Sequence, residues 1–190
     1  TRKAYMIRDL QYGSTGKGLI AGWLAQKEKP DTVVTAWGPN AGHTYIDKND
    51  REYIHRMLAN GVVSPNLTTV LIGPGSVIDI GILFNEIVSC SDHLVGKRII
   101  IHPQACVVTP KHLETEKKNV VIGSTMKGTG AAIIQRIERD PASMNTAEHM
   151  IPLDWIEKVL ALGVHVNVDS IEYSVAVAMS NVMQIEGAQG

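Results

Sequence analysis

The sequence predicts an α/β fold in which a mainly parallel sheet is flanked by helices. Apolar residues make up 44% of the 190 residues and charged residues only 19%, which is typical of a globular chain with a sizeable core. Short apolar, β-branched runs alternate along the chain with segments of helical periodicity. Residues 4–35 contain a strand, a glycine loop, a helix and a second strand. Such a βαβ unit implies a parallel sheet covered by helices.

The first elements follow from local signals. A strand is expected at Ala4–Leu10, running into the glycine loop, and a second strand at Thr32–Thr35. The helix between them is predicted by apolar residues at helical spacing, namely Leu19, Ile20, Trp23 and Leu24. Pro30 ends this helix.

The same alternation continues to the end of the chain. Further strands are expected at Val70–Ile72, Arg98–Ile101, Val164–Val168 and Val182–Ile185. Helices are expected around Ile82–Ile87, from Pro110, over Ala131–Arg139, from Asp154 as N-cap to Gly163, and over Asp169–Ser180. Because no repeat, low-complexity tract or linker interrupts this pattern, we expect residues 1–190 to form a single α/β nucleotide-binding domain.

Composition excludes several classes of function. Lys and Arg number 18 against 19 Asp and Glu, so no basic surface for nucleic acid is expected, and phosphate binding must come from a local site. No apolar run reaches the roughly 18–20 residues of a membrane span. Cys90 and Cys106 lie among apolar residues, so we expect buried reduced thiols, which fits a cytoplasmic protein.

The loop Gly13–Gly18 has the composition of a phosphate-binding turn between a strand and a helix. Its backbone N–H groups would face one concavity, and the N-terminus of the following helix would add about half a positive charge. Lys17 would add a mobile cation. The spacing is shorter than that of the standard phosphate loop and differs from the dinucleotide fingerprint, so this loop alone is equally consistent with a structural connection.

A second polar segment, Asn40–Thr44, follows the second strand. In a parallel sheet both loops emerge at the carboxyl edge, where ligands bind. Asn40 could recognise a base or a phosphate, and the Gly42 carbonyl could coordinate Mg²⁺. We expect His43 to lie in a polar loop and to act as a general acid, or as a cation beside a developing oxyanion.

These segments resemble motifs of the adenylosuccinate synthetase family, in the same order along the chain. The matches are Gly13–Gly18 with Gly-Asp-Glu-Gly-Lys-Gly, Asn40–Thr44 with Asn-Ala-Gly-His-Thr, His55–Gly61 with His-Leu-(Ile/Leu)-Pro-(Ser/Asn)-Gly, Ile72–Val77 with Ile-Gly-Asn-Gly-Val-Val, Gly123–Gly130 with Gly-Thr-Thr-Gly-Arg-Gly-Ile-Gly, and Glu186–Gly190 with Glu-Gly-Ala-Gln-Gly. The resemblance implies the synthetase fold, which is similar to that of phosphate-loop NTPases. The family continues past the last motif, so we expect this chain to lack a C-terminal portion.

Ser14 departs from the family pattern, in which an Asp at this position removes the N1 proton of IMP. With Ser14 the loop resembles the bacteriophage branch of the family, which implies an ATP-dependent C–N ligase that joins dGMP to L-aspartate in 2-aminoadenine nucleotide synthesis. A hydroxyl is smaller than a carboxylate and can accept a hydrogen bond from the guanine 2-amino group or N1–H. It is a poor base, so the N1 proton would pass either to the substrate aspartate carboxylate or through Ser14 to phosphate or water.

The resemblance also implies the remaining roles. The residues expected to bind the donor nucleotide, ATP or dATP, are Gly13, Ser14, Thr15, Gly16, Lys17, Gly18, Leu19, Gly42, His43 and Thr44. Those expected to bind dGMP are Ser14, Asn40, Thr125, Arg139 and Gln189, with Arg139 reaching the other subunit of a homodimer. Ser14 and His43 are the expected catalytic residues, and Ser14 and Gly42 the expected Mg²⁺ ligands.

Two other functions stay open on the sequence. One is an ordinary adenylosuccinate synthetase that acts on IMP and aspartate with GTP, against which Ser14 argues. The other is a nucleotide-binding homologue that has lost catalysis, against which the presence of Lys17, His43 and Gln189 argues. A phage-encoded enzyme of this kind would work in the host cell cytoplasm, without a nucleic-acid or membrane partner.

Overall fold

The computed structural model describes residues 2–11, 13, 15–118 and 125–187. The strands are β1 (Lys3–Ile7), β2 (Thr32–Thr35), β3 (His43–Ile46), β4 (Glu52–His55), β5 (Thr69–Ile72), β6 (Val77–Ile78), β7 (Arg98–Ile101), β8 (Cys106–Val107), β9 (His165–Val168) and β10 (Val182–Glu186). The α-helices are α1 (Lys17–Glu28), α2 (Ile80–Ser89), α3 (Ser91–Leu94), α4 (Pro110–Lys118), α5 (Thr129–Glu138), α6 (Ala147–Met150), α7 (Leu153–Ala161) and α8 (Ser170–Met179). Short 3₁₀ helices span Asn60–Val63 and Pro141–Ser143. Within this described part, no helix is both long enough and apolar enough to cross a membrane.

Six strands form one sheet in the order β1-β10-β2-β5-β7-β9, and every neighbouring pair in it is parallel. The predicted parallel α/β architecture is therefore confirmed. The first βαβ unit has one unexpected feature, because β10 inserts between its two strands. The β3–β4 hairpin, which we had not predicted as strands, is antiparallel and lies outside the sheet.

The central strands alternate between two apolar layers, as expected for a sheet covered on both faces. The residues packed in the main core include Val33, Val70, Ile72, Ile99 and Ile101. Their neighbours Val34, Leu71 and Ile100 face the opposite layer, where Tyr173 and Ala176 of α8 cover them. Most of the apolar packing, including the 3₁₀ helix Asn60–Val63, thus lies on one side of the sheet.

Helix α1 buries its small residues rather than its large ones. Leu19, Ile20 and Trp23 are about half exposed, while Gly18 and Gly22 face the hairpin. A Cβ built on Gly22 would lie 2.1 Å from the Tyr45 ring, so no larger residue fits at that position without movement. The periodicity located the helix correctly, but close packing of small side chains decides which face is buried.

Three local predictions from the sequence can be compared with the structure. The cap at Asp154 is wrong, because α7 begins at Leu153 with Pro152 as N-cap, and Asp154 instead pairs with Lys158 at 3.0 Å. Gly163 does follow the helix end, with a φ of +80° that suits glycine. Cys90 and Cys106 are both buried and free, as predicted.

Candidate nucleotide site

The loops after β1 and β2 meet in a cavity of about 240 Å³ at the carboxyl edge of the sheet. The residues that line it are Asp9, Gly13, Thr15, Gly16, Lys17, Gly18, Ala41, Gly42, His43 and Thr44. Nine of these come from the two segments that the sequence singled out, and the tenth is Asp9. The structure therefore brings the two predicted segments together, as the rule for parallel sheets requires.

The glycine loop ends at the N-terminus of α1. Gly16 is the N-cap residue and has a φ of +82°, a left-handed conformation that glycine adopts without steric cost. The first intrahelical bond runs from the Ile20 N–H to the Gly16 carbonyl, at 3.1 Å. The N–H groups of the preceding helical residues have no acceptor within the helix. These groups and the helix dipole favour an anion in the cavity.

Asp9 and Lys17 form a buried ion pair across the floor of this cavity, with 2.6 Å between Asp9 Oδ2 and Lys17 Nζ. The Thr15 hydroxyl donates to the other Asp9 oxygen. Burial raises the pKa of Asp9, but the hydrogen bonds from Lys17 and Thr15 outweigh burial and hold this pKa below its usual value. The loop lysine is therefore already neutralised by a carboxylate. Sequence reasoning missed Asp9, because the expected strand ran to Leu10, whereas β1 ends at Ile7 and leaves Asp9 at the carboxyl edge of the sheet.

Helix α1 approaches β3 closely at Gly18. A Cβ built on Gly18 would lie 2.6 Å from the Thr44 nitrogen and 2.9 Å from the His43 carbonyl carbon. Glycine at this position is therefore required for the backbone of the loop and helix to lie against the backbone of the hairpin. The two walls of the cavity are in direct contact here.

His43 is the first residue of β3 and is buried, so the expected polar loop position is wrong. Its ring stacks on Trp37 with 4.3 Å between ring centroids. Burial lowers the pKa of His43 to about 4, the positive charge of Lys17 adds to this effect, and Asp9 opposes it. The imidazole is therefore neutral near pH 7 and offers a hydrogen bond rather than a cation.

Asn60 and Glu186 hold the hairpin wall in place. The Asn60 side chain donates to the His43 carbonyl at 3.2 Å and to the Tyr53 carbonyl at 3.3 Å. The Glu186 carboxylate in turn accepts from the backbone N–H groups of Asn60 and Gly61, at 2.9 and 2.7 Å. Glu186 ends β10, so this carboxylate fixes the wall to the strand that lies between β1 and β2. We infer that Glu186 has a structural role. The resemblance of its motif to the family did not reveal this role.

Asn40 begins the second segment and lies beside the start of α5. Its Oδ1 accepts from the hydroxyls of Thr125, at 2.9 Å, and Thr129, at 2.6 Å. This pairing leaves the two N–H groups of the Asn40 amide as donors for a ligand. Two of the residues predicted to bind the purine monophosphate are thus adjacent.

Two other predicted residues lie away from the cavity, and two more fall outside the described residues. Leu19 is half exposed on α1 and does not line the cavity. Arg139, the C-cap of α5, lines a separate depression of about 830 Å³. Ser14 and Gln189 lie outside the described residues.

The donors around the loop fit a hard cation. Mg²⁺ takes oxygen ligands, keeps several waters, and is held in nucleotide sites by one or two protein oxygens plus phosphate. The Asp9 carboxylate, the Thr15 hydroxyl and the Gly42 carbonyl are of this kind. In the described ranges no group of three or more His, Cys, Asp or Glu forms an all-protein cage. Because a nucleotide would supply the phosphate oxygens, the donors of this cavity fit a metal that arrives with a nucleotide.

Fold and cavity together define the class of protein: a parallel α/β protein with a glycine-rich, anion-attracting loop at the carboxyl edge of its sheet. Comparison with known sequences identifies the family. The family described as adenylosuccinate synthetase matches residues 6–183. The chain belongs to the adenylosuccinate synthetase family.

Several phage proteins are similar to the whole chain. The N6-succino-2-amino-2'-deoxyadenylate synthase of Salmonella phage PMBT28 is 48% identical over 100% of this chain and 53% of its own length. The protein of the same name from Acinetobacter phage SH-Ab 15497 is 45% identical, over 100% of this chain and 54% of its own. Among solved structures, the cyanophage S-2L succinoaminodeoxyadenylate synthetase bound to dGMP and to dATP as an energy donor has a TM-score of 0.85. It is 32% identical and covers 100% of this chain and 52% of its own. The chain thus spans about half the length of the curated relatives it matches.

Proposed function

We propose that this chain is the nucleotide-binding part of a ligase that joins dGMP to L-aspartate, with ATP or dATP as phosphoryl donor. The product would be 2-amino-2'-deoxy-N6-succinyladenylate, with release of ADP or dADP and phosphate. The observation that carries the proposal is the similarity, over the whole chain, to phage synthases of that name and to a synthetase that binds dGMP and dATP. Ser14, where the wider family has Asp, supports the same substrate.

The reaction would have two steps. The terminal phosphoryl group moves from the donor to O6 of guanine while the N1 proton leaves. The amine of L-aspartate then attacks C6, the C6–O bond breaks, and phosphate departs with the oxygen. In the first step, the N–H groups at the start of α1 and Lys17 hold the donor phosphates in the cavity. Lys17 must then exchange part of its contact with Asp9 for a phosphate oxygen.

His43 would stabilise the transferred phosphoryl group by donating a hydrogen bond. Because its ring is neutral near pH 7, this contribution is a preorganised dipole rather than a full charge. Stacking on Trp37 and the bond from Asn60 to its carbonyl fix the ring against the cavity. Bound triphosphate would raise the pKa of His43, since negative charge favours the protonated form.

Ser14 would face the guanine 2-amino group and N1. A site that hydrogen-bonds a substrate amine rejects an analogue without it, because the polar group is then left unpaired. The base that takes the N1 proton would be the substrate aspartate carboxylate, or phosphate or water reached through Ser14. Asn40, Thr125 and Gln189 would bind the monophosphate nucleotide. Arg139 would reach the site of the second subunit of a homodimer.

Mg²⁺ would be held by the Gly42 carbonyl together with Ser14, and the oxygen donors Asp9 and Thr15 line the same cavity as Gly42. When bound, the metal neutralises charge on the phosphates. The protein residues orient these phosphates whatever their counterion.

The decisive experiment crosses substrates on the full-length protein. With aspartate and Mg²⁺ present, dGMP or IMP is combined in turn with ATP, dATP or GTP, and phosphate release and the succinyl nucleotide are measured. We expect turnover with dGMP and an adenine nucleotide. Turnover with IMP and GTP but not dGMP would instead establish the ordinary synthetase. Binding of both nucleotides without turnover in any combination would establish an inactive homologue.

A further inference from the structure

Arg56 lies across the hairpin from Gly42, whose backbone lines the phosphate cavity, and the Arg56 side chain itself lines a neighbouring depression with Glu86. The antiparallel register pairs His43 with His55, so the next facing pair is Gly42 and Arg56. A Cβ built on Gly42 would lie 4.0 Å from Arg56 Nε. Because Gly42 has no side chain, the guanidinium lies against bare backbone that lines the cavity.

The backbone of Arg56 is held firmly in place. Its N–H donates to Glu86 Oε1 at 2.6 Å, and the next two N–H groups along the chain donate to Glu86 Oε2 at 3.0 and 2.9 Å. Because this buried carboxylate is occupied by three backbone donors, it caps the turn and does not form an ion pair with the guanidinium. Among the described residues, the Arg56 side chain has no ion pair and no side-chain hydrogen bond.

The charge balance of the cavity makes such a cation useful. Lys17 is neutralised by Asp9, with 2.6 Å between Lys17 Nζ and Asp9 Oδ2. A nucleoside triphosphate carries several negative charges, which these groups alone compensate poorly.

We propose that Arg56 binds the donor nucleotide, with its guanidinium on the terminal phosphoryl group held beside Gly42 and His43. This inference rests on the proposed function and adds a residue to it. Arginine suits the role because its planar set of donors matches two phosphate oxygens at once. A phosphate is favoured over the carboxylates of the aspartate substrate because Arg56 borders Gly42, which lines the anion cavity at the N-terminus of α1.

The test compares three variants of the full-length protein, Arg56→Leu, Arg56→Lys and Arg98→Leu. Arg98 is exposed at the start of β7, at the amino edge of the sheet and away from the cavity, so it is a matched control. Dissociation constants for a non-hydrolysable ATP analogue, ADP and dGMP are measured by calorimetry, and KM for aspartate by phosphate release. Circular dichroism checks that each variant is folded.

We expect Arg56→Leu to weaken the ATP analogue about ten- to hundredfold, as for hydrogen bonds to a charged group. ADP and dGMP should change less than about threefold, Arg56→Lys should recover part of the loss, and Arg98→Leu should match wild type. Unchanged affinity for the ATP analogue would overturn the role, as would an equal loss for ADP or an effect confined to the aspartate KM. A wild-type protein that binds no triphosphate would refute the proposed function itself, and this role with it.

Discussion

Replacing Gly18 with Ala would separate the two walls of the cavity while leaving the protein folded. The added Cβ would lie 2.6 and 2.7 Å from the nitrogen and oxygen of Thr44, and 2.9 Å from the His43 carbonyl carbon. Non-bonded carbon contacts are relaxed at about 3.5–4.0 Å, so α1 and β3 must move apart by about 1 Å. All three atoms belong to the backbone, and no flexible side chain can give way instead.

The stability and the function of this variant should respond differently. Ala is favoured over Gly inside a helix by about 1 kcal/mol, and overpacking costs about 1–3 kcal/mol, so the net destabilisation is at most about 2 kcal/mol. The same movement shifts His43 relative to the phosphate loop. A misplacement of about 1 Å at a reacting centre costs on the order of a hundredfold in rate.

The assay measures both quantities on the same preparation. Urea denaturation gives the free energy of unfolding, calorimetry gives triphosphate affinity, and phosphate release gives turnover. Gly75→Ala is the control, because a Cβ there meets Ala36 at an ordinary 3.8 Å. Gly18→Ala with wild-type turnover would refute the argument that close backbone approach at Gly18 sets the geometry of the site. Global unfolding of the variant would refute the estimate that the clash destabilises the fold by at most about 2 kcal/mol.

Three further predictions follow from the same geometry. His43→Ala should lower turnover about a hundredfold while changing the dGMP dissociation constant little; turnover within a few-fold of wild type would contradict its electrostatic role. Asp9→Asn should destabilise the free protein by up to about 3 kcal/mol, because Lys17 loses its charged partner. ATP should then raise the melting temperature of this variant more than that of wild type, and equal shifts in the two proteins would contradict this prediction. Burial lowers the pKa of both His43 and His55 to about 4, so the unfolded chain takes up protons first as pH falls below about 6.5. The free energy of unfolding, measured by urea denaturation, should therefore be about 2 kcal/mol lower per histidine at pH 5 than above pH 6.5. Titration midpoints near 6.5 for these histidines in proton NMR would contradict the burial argument.

The strands and most helices could be predicted because buried parallel strands leave continuous β-branched runs, such as Thr32–Thr35 and Arg98–Ile101. The order of the strands in the sheet could not be predicted. Insertion of β10 between β1 and β2 depends on pairing between residues about 150 apart or more, which no local pattern encodes. The buried face of α1 was equally hidden, since it depends on what Gly18 and Gly22 meet.

The candidate site could also be predicted from the sequence only in part. Position at strand ends predicted that the two loops would meet, because that follows from parallel topology alone. The ionisation states did not follow from position. His43 is neutral because a hairpin turns it onto Trp37, and Lys17 is paired because the chain before the loop places Asp9 beside it. These environments are made by residues whose proximity only the fold establishes.

The last strand of the described chain holds the site together. Glu186 ends β10, which lies between the strands that carry the two loops, and its carboxylate fixes Asn60 and Gly61. Asn60 in turn holds the carbonyl of His43. A Cβ on Gly61 would lie 2.8 Å from Val33 Cγ1 and 2.7 Å from Gln184 Nε2, so a larger residue would force these buried side chains to move. The relative geometry of the Gly13–Gly18 loop and the Asn40–Thr44 segment, both encoded in the first 45 residues, therefore depends also on residues 182–186, which pair with strands on both sides.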